Sequence, residues 1–211
     1  MRLLELLFPS RCLFCREFTG RGGPCICPKC GKTLPKPKNG GAQKGDFFDI
    51  CVSACYYEDS VRDALLRYKF EAQSAYAGPL GALVADCAAE NLDGAFEVVT
   101  WVPLSRRRYR SRGYDQAKLL AEAVAERSGR PLVRLLEKTR HNPAQSGTGS
   151  PERRRANVSG VYAPAGDCAG QRVLLIDDIV TTGATLSECA RILRMAGARS
   201  VVCATVARSR D

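Results

Sequence analysis

The 211-residue sequence lacks long apolar runs, and it contains few aromatic residues and a single histidine. No stretch approaches the roughly 18 apolar residues of a membrane-spanning helix, so no membrane insertion is expected. The first apolar run, residues 3–8, is short and contains Glu5, which does not fit a secretory signal. Aromatic residues make up 7% of the chain, too few to favour an extended platform for stacking bases. Histidine chemistry would fall on His141 alone, and a solvated loop residue is the commoner role for such a histidine.

Cysteine, in contrast, is abundant. The chain has 11 cysteines, and five of them lie in the first 30 residues. The odd number, and the position of several later cysteines in apolar segments, argue against a secreted disulfide framework. We therefore predict a cytoplasmic location and interpret the cysteines after residue 50 as small buried hydrophobic residues.

The spacing of the first cysteines predicts a metal site. Cys12-x2-Cys15 is followed after eleven residues by Cys27-x2-Cys30, and two such pairs can place four thiolates tetrahedrally around Zn²⁺. Because four thiolates fill the coordination shell, the predicted zinc is structural rather than catalytic. Cys25 is an alternative to Cys27 as a ligand, and a set of redox-active or merely tolerated thiols is the alternative to a metal site.

The remaining organisation indicates an α/β protein. Residues 35–41, Pro-Lys-Pro-Lys-Asn-Gly-Gly, contain no core-forming side chain and mark the best boundary. We predict a zinc-binding module with its linker over residues 1–45 and a second domain over residues 46–211. After residue 95, apolar strands alternate with helices, which indicates a parallel sheet. Residues 139–157 show no periodicity, and loops of that length in such a fold are often functional.

The net charge of +10 is concentrated in one segment. Residues 101–160 hold 14 Lys and Arg against 5 Asp and Glu, a local net charge of +9. Such an excess indicates an anionic partner such as phosphate, pyrophosphate or nucleic acid. A solvated arginine-rich face is the alternative.

The most informative segment covers residues 173–185, Val-Leu-Leu-Ile-Asp-Asp-Ile-Val-Thr-Thr-Gly-Ala-Thr. It predicts a buried strand, two acids, a small polar loop and a helix whose start is marked by a capping box of Thr185 and Glu188. A helix N-terminus at the end of a parallel strand favours a bound phosphate, and Gly183 permits close backbone approach. Asp177 and Asp178 can bind two ribose hydroxyls or hold Mg²⁺. The pattern predicts a ribose 5-phosphate site, with an ordinary α/β turn as the alternative.

At these residues the sequence resembles the type I phosphoribosyltransferases and their fingerprint for phosphoribosyl pyrophosphate (PRPP). A second resemblance, to the ComF family of competence-associated phosphoribosyltransferase-like proteins, covers nearly the whole chain. The family more often has Asn at the position of Asp115 and Leu at that of Thr148. Besides the cysteine pairs and residues 173–185, the matching segments are Leu6-Leu7-Phe8-Pro9, Leu66-Arg67-Tyr68-Lys69-Phe70, Val102-Pro103-Leu104, Arg112-Gly113-Tyr114-Asp115-Gln116-Ala117, Gln145-Ser146-Gly147 and Glu152-Arg153-Arg154-Arg155-Ala156-Asn157-Val158.

The resemblance implies a type I phosphoribosyltransferase fold, a Rossmann-like parallel sheet flanked by helices, with a small N-terminal zinc module held by four cysteines. It implies transfer of a phosphoribosyl group from PRPP, bound with Mg²⁺, to an acceptor that the sequence does not identify. It also implies an association with DNA uptake and its machinery. The alternative is a non-catalytic, PRPP-responsive protein that binds single-stranded DNA or assists competence.

The resemblance also implies roles for individual residues. It places the ribose and 5-phosphate on Asp177, Asp178, Thr181, Thr182, Gly183, Ala184 and Thr185. It places the pyrophosphate on Pro103, Leu104, Ser105, Arg106 and Arg107. The loop at residues 139–157 resembles the segment that closes over the reaction in these enzymes, where closure would exclude water. The implied catalytic residues are Asp177, Asp178, Arg140 and Arg153.

Overall fold

Strands and helices alternate along the chain in the computed structural model, which describes residues 10–20, 22–71, 73–139 and 160–210. Two short 3₁₀ turns lie at Lys38–Gly41 and Ser74–Tyr76. The other elements are β1 (Ser10–Arg11), β2 (Phe18–Gly20), α1 (Pro28–Thr33), β3 (Ile50–Tyr56), α2 (Asp59–Phe70), α3 (Ala77–Asn91), β4 (Val98–Trp101), α4 (Arg106–Arg112), α5 (Gln116–Ser128), β5 (Leu136–Lys138), β6 (Tyr162–Pro164), β7 (Arg172–Val180), α6 (Ala184–Met195) and β8 (Ser200–Arg208).

Within the described residues, the main sheet has four strands in the order β3-β8-β7-β4, and every pair is parallel. Alternate residues of β7 enter two different cores. Leu174 and Ile176 pack on the side of α2, α3 and α5, whereas Val173 and Leu175 pack on the side of α6, β5 and β6. Because helices cover both faces, β7 begins as the continuous apolar run typical of a buried parallel strand. This arrangement confirms the predicted α/β fold class.

The N-terminal segment packs against the same body. Leu13 and Phe14 are buried and belong to the core that contains α2. The Nη2 of Arg67, near the end of α2, donates hydrogen bonds to the carbonyl oxygens of Leu13 at 2.7 Å and Phe14 at 3.3 Å. Further along, the backbone of Gln43 pairs with Cys51 of β3 through hydrogen bonds of 3.0 and 2.8 Å. The division at residues 45 and 46 stays a prediction.

Helices α3 and α5 approach each other closely at Gly81. A Cβ at this position would lie 2.5 Å from the Cβ of Ala123, which is shorter than atomic contact allows. Glycine is therefore required by packing at this point rather than by backbone conformation. No helix within the described residues is long and apolar enough to cross a membrane.

At three places the structure differs from, or adds to, what the sequence patterns predict. β7 does not end before the acids, but continues through them to Val180. The arginine cluster of residues 106–112 forms α4, because the Ser105 Oγ accepts a hydrogen bond from the Arg108 N–H at 3.4 Å and caps the helix. The apolar run at residues 131–136 contacts β4 through the bridge of Leu132 to Val99 and through a hydrogen bond from the Leu135 N–H to the Thr100 Oγ1 at 3.3 Å.

Candidate functional site

Asp177 and Asp178 lie near the carboxyl end of β7, in the centre of the sheet. The Asp178 N–H donates to an Asp177 carboxylate oxygen at 2.8 Å, and the Lys69 Nζ lies 2.9 Å from an Asp178 carboxylate oxygen. Burial, followed by the negative charge of Asp178, raises the pKa of Asp177 above that of an ordinary aspartate. The two acids therefore form a closely spaced pair that is partly neutralised by one lysine and suited to bind hydroxyl groups or a cation.

The loop between β7 and α6 follows directly. Thr181 and Thr182 are exposed, and Gly183 has φ of +72°, a left-handed conformation that glycine adopts without strain. Gly183 is the N-cap of α6, a twelve-residue helix, and no side chain caps this end. The first N–H groups of α6 can therefore serve a bound anion.

The predicted capping box is wrong. Thr185 is the second residue of α6 rather than its N-cap. The Glu188 carboxylate instead accepts a hydrogen bond from the Gly160 N–H at 3.0 Å and forms an ion pair with Arg191 at 2.8 Å. These two partners explain why no capping box forms, because a Glu188 carboxylate bound to Gly160 and Arg191 cannot also bind the N–H groups at the start of α6. Thr185 remains beside the loop, within the first turn of α6.

The predicted pyrophosphate segment, residues 103–107, lies beside the acids. Trp101, the last residue of β4, is in register with Ile176 of β7, and the Val102 N–H donates to the Ile176 carbonyl oxygen at 3.0 Å. Ile176 immediately precedes Asp177. The sheet therefore brings three predicted segments to one edge: Pro103 to Arg107, the two acids, and the loop of residues 181–185.

Several cations surround this edge. Arg106 and Arg107 of α4 are exposed to solvent. The Arg112 guanidinium lies 5.0 Å from the centre of the Phe70 ring and donates to the Gln116 side-chain oxygen at 2.9 Å. Burial lowers the pKa of Arg112, and the negative charge of Asp178 opposes this shift, which places Arg112 within electrostatic range of the acids.

Sequence reasoning missed two further cations, Lys69 and Lys138. Lys69 lies in the segment Leu66–Phe70, which carries part of the family resemblance. That resemblance was the sequence feature that could have identified Lys69 as a site residue. The Lys138 Nζ hydrogen-bonds to the Tyr162 hydroxyl at 3.1 Å, and burial lowers the pKa of this lysine. Arg140 and Arg153, predicted to be catalytic, and His141 lie outside the described residues.

The four predicted ligand cysteines form one group. The sulfur atoms of Cys12, Cys15, Cys27 and Cys30 all lie within 4.8 Å of one another, so the group could hold a metal ion. Cys25 is exposed and lies outside it. N–H groups stabilise two of the sulfurs: Cys27 N–H lies 3.4 Å from Cys12 Sγ, and Cys30 N–H lies 3.4 Å from Cys27 Sγ.

The electrostatics of Cys12 suit a metal ligand. Burial raises the pKa of this thiol, but backbone N–H groups, including that of Cys27, outweigh burial and lower it overall. Burial and the neighbouring thiols raise the pKa of Cys30 to about 12, and the thiolate form of each cysteine is the one that binds a metal. Four sulfur donors in one cluster fit Zn²⁺ chemically. The six cysteines after residue 50 are all buried, as predicted.

Comparison with known proteins agrees with this geometry. Residues 112–211 match the family described as a phosphoribosyl transferase domain. The competence protein ComFC of Bacillus subtilis is 30% identical, and the alignment covers 99% of this chain and 89% of ComFC. The DNA utilization protein YhgH of Escherichia coli is 27% identical, with 90% of this chain and 86% of YhgH covered.

Among solved structures, the glutamine PRPP amidotransferase of Bacillus subtilis aligns with a TM-score of 0.42 at 24% identity. That alignment covers 65% of this chain and 30% of the amidotransferase. The parallel sheet with helices on both faces, together with the domain match, confirms the predicted type I phosphoribosyltransferase fold. The match to ComFC extends over almost the full length of both proteins. The chain therefore belongs to the ComF family, whose members combine a phosphoribosyltransferase-like domain with an association with competence.

Proposed function

We propose that the protein binds PRPP and transfers its phosphoribosyl group to an acceptor nucleophile. The observation that carries this proposal is the convergence at one sheet edge of residues 103–107, the pair Asp177 and Asp178, and the loop at residues 181–185. The carboxylates would accept hydrogen bonds from the two ribose hydroxyls. The N–H groups at the start of α6 and the threonine hydroxyls would bind the 5-phosphate.

The reaction is a displacement at the anomeric carbon of the ribose. The bond from that carbon to pyrophosphate breaks, and the pyrophosphate leaves with the electron pair. A new bond forms to the acceptor, which loses a proton to solvent or to a base. Mg²⁺ bound with PRPP would help to neutralise the pyrophosphate, and the acids are the residues that could hold it.

The protein itself would contribute positioning and charge. Arg106 and Arg107, exposed beside the predicted pyrophosphate segment, would stabilise negative charge on the leaving group. Lys69 would orient the Asp178 carboxylate through the 2.9 Å ion pair. Arg140 and Arg153 remain our predicted cations of the segment that closes over the reaction. A cytoplasmic location stays a prediction.

We also propose that Cys12, Cys15, Cys27 and Cys30 bind one structural Zn²⁺. The close grouping of their sulfur atoms supports this set over one that contains Cys25. When bound, zinc would cross-link the two ends of the N-terminal segment, which otherwise has a small core of its own. Because all four positions would be protein thiolates, no open position remains for catalysis.

A second candidate function is PRPP-responsive binding of single-stranded DNA. The helix α4 presents exposed Arg106, Arg107 and Arg110 on either side of Tyr109, which is 52% exposed. Single-strand binding sites combine positively charged side chains, which contact the phosphates, with aromatic rings, on which the bases stack. The name of the YhgH relative, a DNA utilization protein, also points to DNA.

The test of PRPP binding is calorimetry with Mg²⁺ on the wild type and on Asp177→Asn with Asp178→Asn. We expect the wild type to bind and the double variant to lose binding while its circular dichroism stays unchanged. Asp63→Asn, an exposed aspartate of α2, is the matched control and should bind normally. Retained affinity in the double variant would show that these acids do not form the site.

The test of catalysis is pyrophosphate release from PRPP in the presence of nucleobases, amines or ammonia. Turnover with any acceptor supports the transferase, and its absence with all of them, despite PRPP binding, favours the second candidate. That candidate predicts steeply salt-dependent binding of single-stranded DNA. Binding that is unchanged in a variant with Arg106→Ala and Arg110→Ala would exclude α4 as the DNA site.

A further inference from the structure

A third carboxylate, Asp115, lies between the predicted pyrophosphate segment and α5. Its side chain is buried, with 9% relative exposure. One carboxylate oxygen accepts a hydrogen bond from the Lys118 N–H at 3.2 Å and caps the start of α5. The other accepts a hydrogen bond from the Leu104 N–H at 3.0 Å. A single side chain therefore connects the segment at 103–107 to a long helix of the body.

The Leu104 contact is significant because it fixes the backbone just before α4 begins. Pro103 has no N–H group, so Leu104 carries the first backbone donor after Val102. Val102 is fixed to β7 by its hydrogen bond to Ile176. Between Val102 and Ser105, which caps α4, the Asp115 carboxylate accepts a hydrogen bond from the Leu104 N–H.

A buried carboxylate such as that of Asp115 is destabilising unless its oxygens are hydrogen-bonded. Burial raises the pKa of its carboxyl group, and the N–H groups of Leu104 and Lys118 oppose that shift. A neutral Ser, Thr or Asn could cap α5 equally well. A carboxylate adds a second strong acceptor, so that it serves Leu104 and the Trp101 side chain as well as the start of the helix.

We propose that Asp115 is a positioning residue for pyrophosphate binding. Its carboxylate holds the Leu104 N–H and so keeps residues 103–107 in place beside Asp177. It does not contact the substrate. This inference rests on the proposed function, because it assumes that the segment binds the pyrophosphate group of PRPP.

The test separates the two halves of the substrate. Ribose 5-phosphate probes the acids and the loop at residues 181–185, whereas inorganic pyrophosphate with Mg²⁺ probes residues 103–107. In Asp115→Ala we expect the affinity for pyrophosphate to fall roughly tenfold or more, as for the loss of a hydrogen bond to a charged group. The affinity for ribose 5-phosphate should stay within about twofold, because its contacts do not involve Leu104.

Gly129→Ala is the matched control for a loss of α5 stability. Gly129 caps the opposite end of α5 with φ of +63°, and an added Cβ would meet no atom within 4 Å. The substitution strains the same helix without touching the pyrophosphate segment. We expect both affinities to be unchanged. Asp115→Asn, which keeps one acceptor oxygen, should retain more pyrophosphate affinity than Asp115→Ala.

The outcomes distinguish the two proposals. If the wild type binds neither ligand nor PRPP, the proposed function fails, and the role of Asp115 fails with it. The wild type could instead bind both ligands while Asp115→Ala lowers both affinities equally, or lowers neither. In that case the proposed function stands and the positioning role is refuted. If Gly129→Ala lost pyrophosphate affinity to the same extent as Asp115→Ala, the effect of Asp115 would be explained by its role as the cap of α5 alone.

Discussion

Replacement of one cysteine of the cluster tests the metal site and its link to the body of the protein. We compare Cys12→Ser with Cys25→Ser, two substitutions of the same chemical size in the same segment. Cys12 is one of the four grouped thiols, whereas Cys25 is exposed and outside the group. Zinc bound by four thiolates should be lost when one is replaced, since serine is a poor ligand for this ion.

The expected loss of stability follows from what the cysteines hold in place. Leu13 and Phe14 lie between two predicted ligands and are 1% and 3% exposed. If the segment detaches, each loses about 1.5 to 3 kcal/mol of burial free energy, which makes about 3 to 6 kcal/mol for the pair. For a chain of this length that corresponds to a fall in Tm of roughly 6 to 24 °C. The hydrogen bonds of Arg67 to both carbonyl oxygens would be lost as well.

The assay combines metal analysis by mass spectrometry with thermal melting. We expect one zinc per chain in the wild type and in Cys25→Ser, and none in Cys12→Ser. Cys25→Ser should change the free energy of unfolding by less than about 0.5 kcal/mol, as for an exposed side chain. A chelator added to the wild type should reproduce the melting temperature of Cys12→Ser. Full metal content in Cys12→Ser, or loss of metal in Cys25→Ser, would refute the assignment.

Three further predictions concern the acids and the helix packing. Because the raised pKa of Asp177 means that the folded state holds its proton more tightly, the contribution of Asp177 to wild-type stability without ligand falls as the pH rises from about 4 to about 8. Asp177→Asn should therefore become increasingly more stable than the wild type between about pH 4 and pH 8 in urea titrations, and a constant difference would contradict this. Lys69→Met should lower the free energy of unfolding by about 2 kcal/mol, which lies between the costs of breaking an exposed and a buried ion pair. The reason is that the side chains of Lys69 and Asp178 are only 20% and 14% exposed. Lys118→Met, from a more exposed pair, is its control and should cost less than about 0.5 kcal/mol by the same measurement. Gly81→Ala should lower the free energy of unfolding by about 1 to 3 kcal/mol through its clash with α5, and a stability equal to the wild type would show that the helices can separate.

Much of the protein could be predicted from local sequence patterns. The alternation of strands and helices, the spacing of the cysteine pairs and the acids followed by a Thr-Gly loop all lie within short segments. Their physical basis is local as well, because periodicity, turn chemistry and ligand spacing involve residues close in sequence. The predicted fold class and family are confirmed for this reason.

The errors were also local. The helix start at Gly183 rather than at a capping box was missed because Glu188 binds Gly160 and Arg191, which competes with the cap. The helix α4 was missed because an arginine cluster has no apolar periodicity and contains no buried residue. Patterns of hydrophobicity cannot predict a helix that has no buried side chain and begins at a serine cap.

Only the tertiary structure determines which side chains and backbone segments lie next to Asp177 and Asp178. Lys69 lies beside Asp178 although more than a hundred residues separate them, and Val102 lies beside Ile176 through strand pairing. The sequence by itself determined which chemical groups the chain carries and which local shapes hold them. The parallel sheet decided which groups meet, because it aligns the carboxyl ends of strands that are distant in sequence. This alignment cannot be predicted from any single segment of the sequence, because the combined site forms only after the strands have paired.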